Sequence, residues 1–208
     1  MPRAVDSQQH ERQRRLIAHA LWRLVERAGL EAVSLRDVAA EAGVSMGRVQ
    51  HYFAGKDDML LFGLQLAQER LGERIEQRLA RLGTEPDAET VLRAVLGELL
   101  GEHPDTRQAL RVSAAYYGRA ASDPKIAAVL TDGDDDIRAL AADAVRTAQD
   151  AGRTDPALSP EREADLLLTL ATSLGVDAAL SLRSRHDARA ALDYALDRTL
   201  GRPTRGHR

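Results

Sequence analysis

The sequence predicts an all-α protein. Three observations carry this expectation. Alternating Val/Ile/Thr-rich runs do not occur, Ala, Leu, Glu and Arg recur at helical spacing almost throughout, and Pro, Gly and Ser/Asp stand where helix caps belong. A first helix is expected from about Ser7 to Ala28, capped by Asp6 or Ser7 and stopped by Gly29. Its apolar face would be Leu16, Ile17, Ala20, Leu21, Leu24, Val25 and Ala28. Ser34 opens a short second helix, and Asp37 three residues on makes a capping-box-like pair. Gly43 ends it. Ser45 caps a third helix, Met46 to Tyr52, that stops near Gly55. A long fourth helix is expected from about Lys56 to Leu82, with Asp57 and Asp58 in its first turn, where the dipole favours anions.

Beyond Gly83-Thr84-Glu85-Pro86, prolines mark the starts. His103-Pro104-Asp105 separates helices five and six, and Ser122-Asp123-Pro124 opens a segment leading into a long helix through Asp150. Ser159-Pro160 restarts the chain with Pro at the first helical position, where its missing N–H costs little. Two helices, about 160–184 and 187–200, close the body, and a tail over 201–208 reads as disordered. The expectation is roughly nine or ten helices.

Composition narrows the function classes. Cysteine is absent, which excludes disulfides, thiolate metal sites and cysteine nucleophiles. The N-terminus MPRAVDSQQHERQRR is polar and basic with no apolar stretch behind it, so no signal peptide is expected. The most apolar window, Ala164 to Leu182, contains Asp165 and Asp177, which argues for a buried or interfacial helix and against a membrane span. A cytoplasmic location is the expectation. The net charge of −3 hides an asymmetry: residues 1–56 hold nine Arg/Lys against six Asp/Glu, and the remainder twenty against twenty-six. A basic module on an acidic body suits a chain that offers one end to a polyanion.

The informative span is Ser34 to Phe53, SLRDVAAEAGVSMGRVQHYF. Two short amphipathic helices flank Ala42-Gly43-Val44-Ser45. Glycine permits a left-handed backbone at the turn, and Ser45 caps the second of the two helices. Val38, Ala39, Val44 and Val49 can pack the two helices, leaving Met46, Arg48, Gln50 and His51 outward. The pattern is that of a helix-turn-helix. Spacing alone leaves an ordinary αα-corner equally open.

From about His10 to Leu61 the chain resembles the N-terminal domain of TetR-family regulators. The resemblance is carried by Ile17, Ala20, Gly29, Ser34, Val38, Ala39, Ala42-Gly43-Val44-Ser45, Gly47, Tyr52-Phe53, Lys56 and Asp58, and it spans about a quarter of the chain. It implies a three-helix DNA-binding domain with a helix-turn-helix over 1–55 and a helical ligand-binding and dimerisation domain over 56–200. The body is loosely similar to the choline-responsive BetI-type branch. Carried over, Ser34 would cap helix two and touch a phosphate. Ser45, Met46, Gly47 and Arg48 would face the major groove or its rim, and Tyr52 and Lys56 would hold phosphates. The family usually has Tyr where this chain has Gln50. Gln can pair with adenine, as Arg48 can with guanine, and His51 lies beside them. Arg12, Arg14 and Arg15, with Arg3 in the preceding arm, are either a solvated helix start or further phosphate or minor-groove contacts.

The resemblance also implies a homodimer, double-stranded operator DNA as partner, and an unknown small-molecule ligand held inside helices four to eight. Leu167, Leu170, Leu174 and Ala178, with Ala188, Ala191, Leu192, Ala195 and Leu196, form apolar faces that spacing alone would also allow in the chain's own core, and the resemblance assigns them to the dimer's four-helix bundle. Polar pocket candidates are His103, Arg107, Arg111, Ser113, Tyr116, Tyr117, Thr169, Thr172, Ser173 and Asp177. At least one of Tyr116 and Tyr117 should be buried with its hydroxyl bonded. Asp177, if buried, needs a partner such as an Arg across the interface. Aromatic residues are too few for a quaternary-ammonium cage, which argues against a choline-like ligand. Ligand binding would tilt helix four and change the spacing of the recognition helices. No catalytic residue, metal ligand or cofactor is expected. The histidines are scattered, no phosphate loop occurs, and Asp132 to Asp136 lacks EF-hand spacing, so it reads as a solvated turn and helix cap. The same fold would also serve an activator, or a protein-binding adaptor with no operator.

Overall fold

The computed structural model describes residues 2–201, with side chains from Gln8 onward. Among these residues the chain forms ten α-helices and no strand. No described helix is long and apolar enough to cross a membrane. The Arg3 side chain and residues 202–208 of the expected tail lie outside the described residues. Two compact units divide the chain. One runs to Glu69 and takes in Val112–Thr131, and the other joins Arg70–Arg111 to the segment from Asp132 onward.

In the first unit, α1 (Pro2–Ala28) passes through Asp6 and Ser7, so neither is its cap; the helix starts with proline at its first position, where no N–H is needed. The buried face also differs from the expected one. Leu16 is 42% exposed and Ala28 is exposed, whereas Ala18 and Trp22 are fully buried with Ile17, Ala20 and Leu21. Trp22 fixes this rotation, because its indole N–H donates to the Gly63 carbonyl of α4 (Lys56–Ala80) at 2.9 Å. On α6 (Pro104–Ala120), Tyr116 is buried and its hydroxyl donates to the Leu60 carbonyl at 2.9 Å. Burial pushes that phenol far above its ordinary pKa. Gln68 donates to the carbonyls of Val129 and Leu130, tying α7 (Pro124–Leu130) to α4.

The segment from Pro124 does not run unbroken into the long helix. Gly133, at φ +77°, interrupts it before α8 (Asp134–Asp150). Asp134, Asp135 and Asp136 occupy the first turn of α8 and none of them caps it; Gly133 holds the cap position with no side-chain hydrogen bond. Arg138 gathers Asp134, Asp135 and Asp165 at 3.2–3.3 Å.

The second unit is a bundle of α5 (Ala88–Leu99), α8, α9 (Pro160–Ala179) and α10 (Arg185–Thr199). Leu92, Leu96, Val145, Ala164, Ala171, Leu192 and Leu196 fill its centre. Each buried leucine contributes about 1.5–3 kcal/mol. Glycine at 175 lets α9 come against the end of α5: a Cβ there would meet the Leu99 carbonyl oxygen and stand 3.1 Å from Leu100 Cα. Glu98 is 1% exposed and lies 3.3 Å from Arg74 and 3.4 Å from Arg78.

Both closing helices begin or end away from their expected bounds. α9 stops at Ala179, because Ser181 adopts φ +62°. Its N–H reaches the Ala178 carbonyl, and that of Leu182 reaches Asp177, closing a Schellman turn. Gly43 and Gly101 close the same turn elsewhere in the chain. Ser181→Gly should therefore stabilise the fold by about 1 kcal/mol, read as a higher midpoint in urea; an unchanged or lower midpoint would show that the serine is not strained.

The apolar face assigned to the dimer needs correction. Leu167, Leu174, Ala188, Leu192 and Leu196 are at most 5% exposed within a single chain, and Leu170, Ala178, Ala191 and Ala195 pack against the same core. The buried residues offer a partner almost no surface. Helical spacing identified a buried face correctly but not what it packs on.

Candidate nucleic-acid interface

α2 (Leu35–Glu41) and α3 (Met46–Tyr52) are set by local chemistry. Ser34 Oγ accepts the Asp37 N–H at 3.2 Å, and Asp37 accepts the Ser34 N–H at 3.2 Å, which completes the capping box. The Ser34 hydroxyl also donates to the Asp37 carboxylate at 2.5 Å, and these bonds hold that carboxyl below its ordinary pKa. The proton a phosphate would accept is thus already committed to the cap. At the turn Gly43 takes φ +65°, and Ser45 Oγ accepts the Arg48 N–H at 3.2 Å. Val38, Ala39, Val49 and Phe53 are buried.

This packing leaves Ser45, Met46, Gly47, Arg48, Gln50 and His51 exposed on α3. Among the described residues Arg48 makes no ion pair. A Cβ on Gly47 would meet nothing within 4 Å, so the fold itself does not require glycine there. Glycine within a helix costs about 0.5–1 kcal/mol relative to alanine, and close approach of an external backbone is one reason to keep it. Gly47→Ala should raise thermal stability by that amount and weaken DNA binding; tighter binding would remove Gly47 from the interface.

Tyr52 is half-buried, with His10 at 4.8 Å and His51 at 5.0 Å between ring centroids. Lys56 Nζ donates to the Glu31 carbonyl at 3.2 Å. Carboxylates of this unit are neutralised from within: Arg27 and Arg23 hold Glu41 at 2.5 and 2.6 Å, and Arg119 holds Glu31 at 2.7 Å. Those bonds depress both carboxyl pKa values.

The basic residues of α1 divide. Arg14 stacks on Phe62 at 4.0 Å and Phe53 at 4.9 Å, a packing role absent from either expectation for it. Arg15 pairs with Glu11 and Glu69, and Arg12 is exposed. Arg36, also exposed and on α2, is a basic residue that sequence reasoning did not single out.

Residues 17–61 match the family described as bacterial regulatory proteins of the tetR family, and residues 88–201 match the BetI-type transcriptional repressor C-terminal family. The chain belongs to the TetR family of transcriptional regulators. Such proteins carry a helix-turn-helix DNA-binding domain and are not enzymes. The regulator PksA of Bacillus subtilis is 41% identical over 81 residues, 39% of this chain and 38% of its own. BetI of Yersinia pestis is 26% identical over 113 residues, 54% of this chain and 57% of its own. The chain therefore spans between about two fifths and three fifths of these curated relatives. A transcriptional regulator from Rhodococcus sp. Rha1 superposes with TM-score 0.74 at 30% identity over 90% of this chain and 96% of that one. One from Saccharomonospora viridis, solved in complex with choline, superposes with TM-score 0.74 at 25% identity over 88% and 94%.

The TetR-type pocket candidates do not form one group. Tyr116 and Ser113 are used inside the first unit, the latter donating to Gln68 at 3.1 Å. Tyr117 is 50% exposed. His103 accepts the Asp105 N–H at the start of α6. Thr169 and Ser173 are exposed on α9, Thr172 is half-buried, and Asp177 lies 3.8 Å from Arg183 of the same chain. Arg111 donates to the Ala179 carbonyl at 2.5 Å, and Arg107 lines a cavity of the second unit. Four further charged or titratable residues of that cavity, Glu102, Arg185, His186 and Arg189, are not singled out by the sequence; the run Arg183-Ser184-Arg185-His186 at a helix start is the signal that could have found two of them.

Proposed function

We propose that this TetR-family regulator is a cytoplasmic repressor that binds a palindromic operator as a two-fold dimer and leaves it when a small molecule occupies the body. The observation that carries the reading is the exposed row Met46, Arg48, Gln50 and His51 on a helix clamped by a capped turn. In the complex Arg48 and Gln50 read base edges, Tyr52 and Lys56 hold phosphates, and Ser34 stays chiefly a cap. The match of residues 88–201 to repressor bodies favours repression.

The dimer forms through the outward side of α9 and α10. Leu166, half-buried Leu170, Ser173, Asp177 and Leu180 recur four, three, four and three residues apart, and Leu166 and Leu180 are 64% and 44% exposed. Leu182 and Tyr194 extend this apolar surface at 74% and 55% exposed. Such a seam suits a four-helix bundle shared by two chains. Two recognition helices would then sit about 34–36 Å apart, one turn of DNA. Light scattering should give a dimer for the natural chain and a folded monomer for Leu166→Glu/Leu180→Glu. That variant should lose about 10²-fold or more in operator affinity, because the half-sites are no longer linked. A natural chain that is monomeric at micromolar concentration would sink the reading.

Release requires a ligand that binds the DNA-free state more tightly than the DNA-bound one.

A further inference from the structure

A cavity of about 350 Å³ lies in the second unit, between the turn joining α5 to α6 and the first turn of α10. Ligand pockets run from about 300 to 1,000 Å³, so only a small molecule fits. Leu100, Ala178 and Ala188 give it apolar walls. Around them stand Arg107, Arg185, His186 and Arg189 against one carboxylate, Glu102.

That carboxylate is already engaged. Glu102 lies 2.8 Å from Arg78 and also holds Arg189. Arg107 donates to the carbonyls of Gly101 and Glu102 at 2.9 and 3.2 Å, and among the described residues neither it nor Arg185 has a carboxylate partner. Two guanidiniums therefore border the cavity without countercharge. Burial, and then the fields of Arg185 and Arg111, lower the Arg107 pKa from its ordinary value. Arg185 and His186 also occupy the first turn of α10, where the helix dipole favours anions and disfavours cations. A bound anion offsets the repulsion between these cations and the unfavourable dipole.

We propose that this cavity binds a small organic anion, its carboxylate held by Arg107 and Arg185 and its short apolar body set against Leu100, Ala178 and Ala188. The site deepens the ligand half of the proposed function and rests on it. The arginine fork matches a carboxylate in two parallel bonds, whereas a quaternary ammonium ion meets only like charge. Choline, bound by the Saccharomonospora viridis regulator, is therefore the wrong class here. An anion also competes with Glu102 for Arg189. Because Glu102 also ties Arg78 of α4, occupancy loosens the hold on the helix that continues the chain from the helix-turn-helix.

Calorimetric titration of the full chain with hexanoate, benzoate, succinate and choline tests this. At least one carboxylate should bind saturably and choline should not. Arg185→Ala and Arg107→Ala should each weaken that binding about tenfold or more, and Arg198→Ala should leave it unchanged. Arg185→Ala should keep the melting temperature of the ligand-free protein, which separates loss of a contact from loss of the fold. The site is overturned if no carboxylate saturates, if both arginine variants bind like the natural chain, or if choline competes. Operator titrations separate the two readings. An anion that binds at these arginines without changing operator affinity sustains the site and overturns its role in release. Operator release by another compound, with no anion bound, sustains release and overturns the site.

Discussion

Replacing Gly175 by alanine should cost about 3 kcal/mol or more, at or above the upper end of ordinary overpacking. The new methyl would press into the Leu99 carbonyl oxygen, with Leu110 Cδ1 at 3.0 Å and Leu100 Cα at 3.1 Å. A side chain can rotate away from such a clash, but a main-chain carbonyl moves only with its helix. α9 must therefore retreat from α5, opening the core around Leu96, Ala171 and Leu174. Gly72→Ala on α4 is the matched control, since its Cβ would meet nothing within 4 Å. It should stabilise by about 0.5–1 kcal/mol. Urea unfolding of the two variants measures both effects. A Gly175→Ala protein within about 1 kcal/mol of the natural chain would disprove the close approach of α9 to α5.

Arg48→Ala should lower affinity for the cognate site by about 1–3 kcal/mol per half-site and relax the preference at one base pair in each. The guanidinium is exposed and makes no ion pair among the described residues, so the fold should not change. Lys56→Ala is the contrasting case. Losing a phosphate contact should weaken all sequences alike and reduce the salt dependence by about one released ion per half-site. Titrations over operators changed one base pair at a time separate the two. An Arg48→Ala protein with every base preference intact would remove that residue from base readout.

What could be read from the sequence is what short-range chemistry decides. Ser34 with Asp37, Gly43, and Ser45 with Arg48 are contacts within three residues, and each stands as expected. The positive φ of Ser181 was not legible, because serine carries no signal for that conformation. Arg14 looked like one more surface cation, but the two phenylalanines beneath it come from residues 53 and 62. Periodicity on α9 and α10 found an apolar stripe, yet it cannot tell a core face from a partner face when both are apolar. Leu167 and Leu174 face inward while Leu166 and Leu180 face outward. The arginine-lined cavity is the extreme case, since Arg107 and Arg185 meet only where two distant helix starts converge.

Selection of bound fragments from genomic DNA by the purified protein reads out operator recognition directly. Enrichment of an inverted repeat with half-site centres one helical turn apart is expected, and it should be lost when Arg48 and Gln50 are both replaced by alanine. No enrichment over random fragments, or an enriched site without two-fold symmetry, would contradict it.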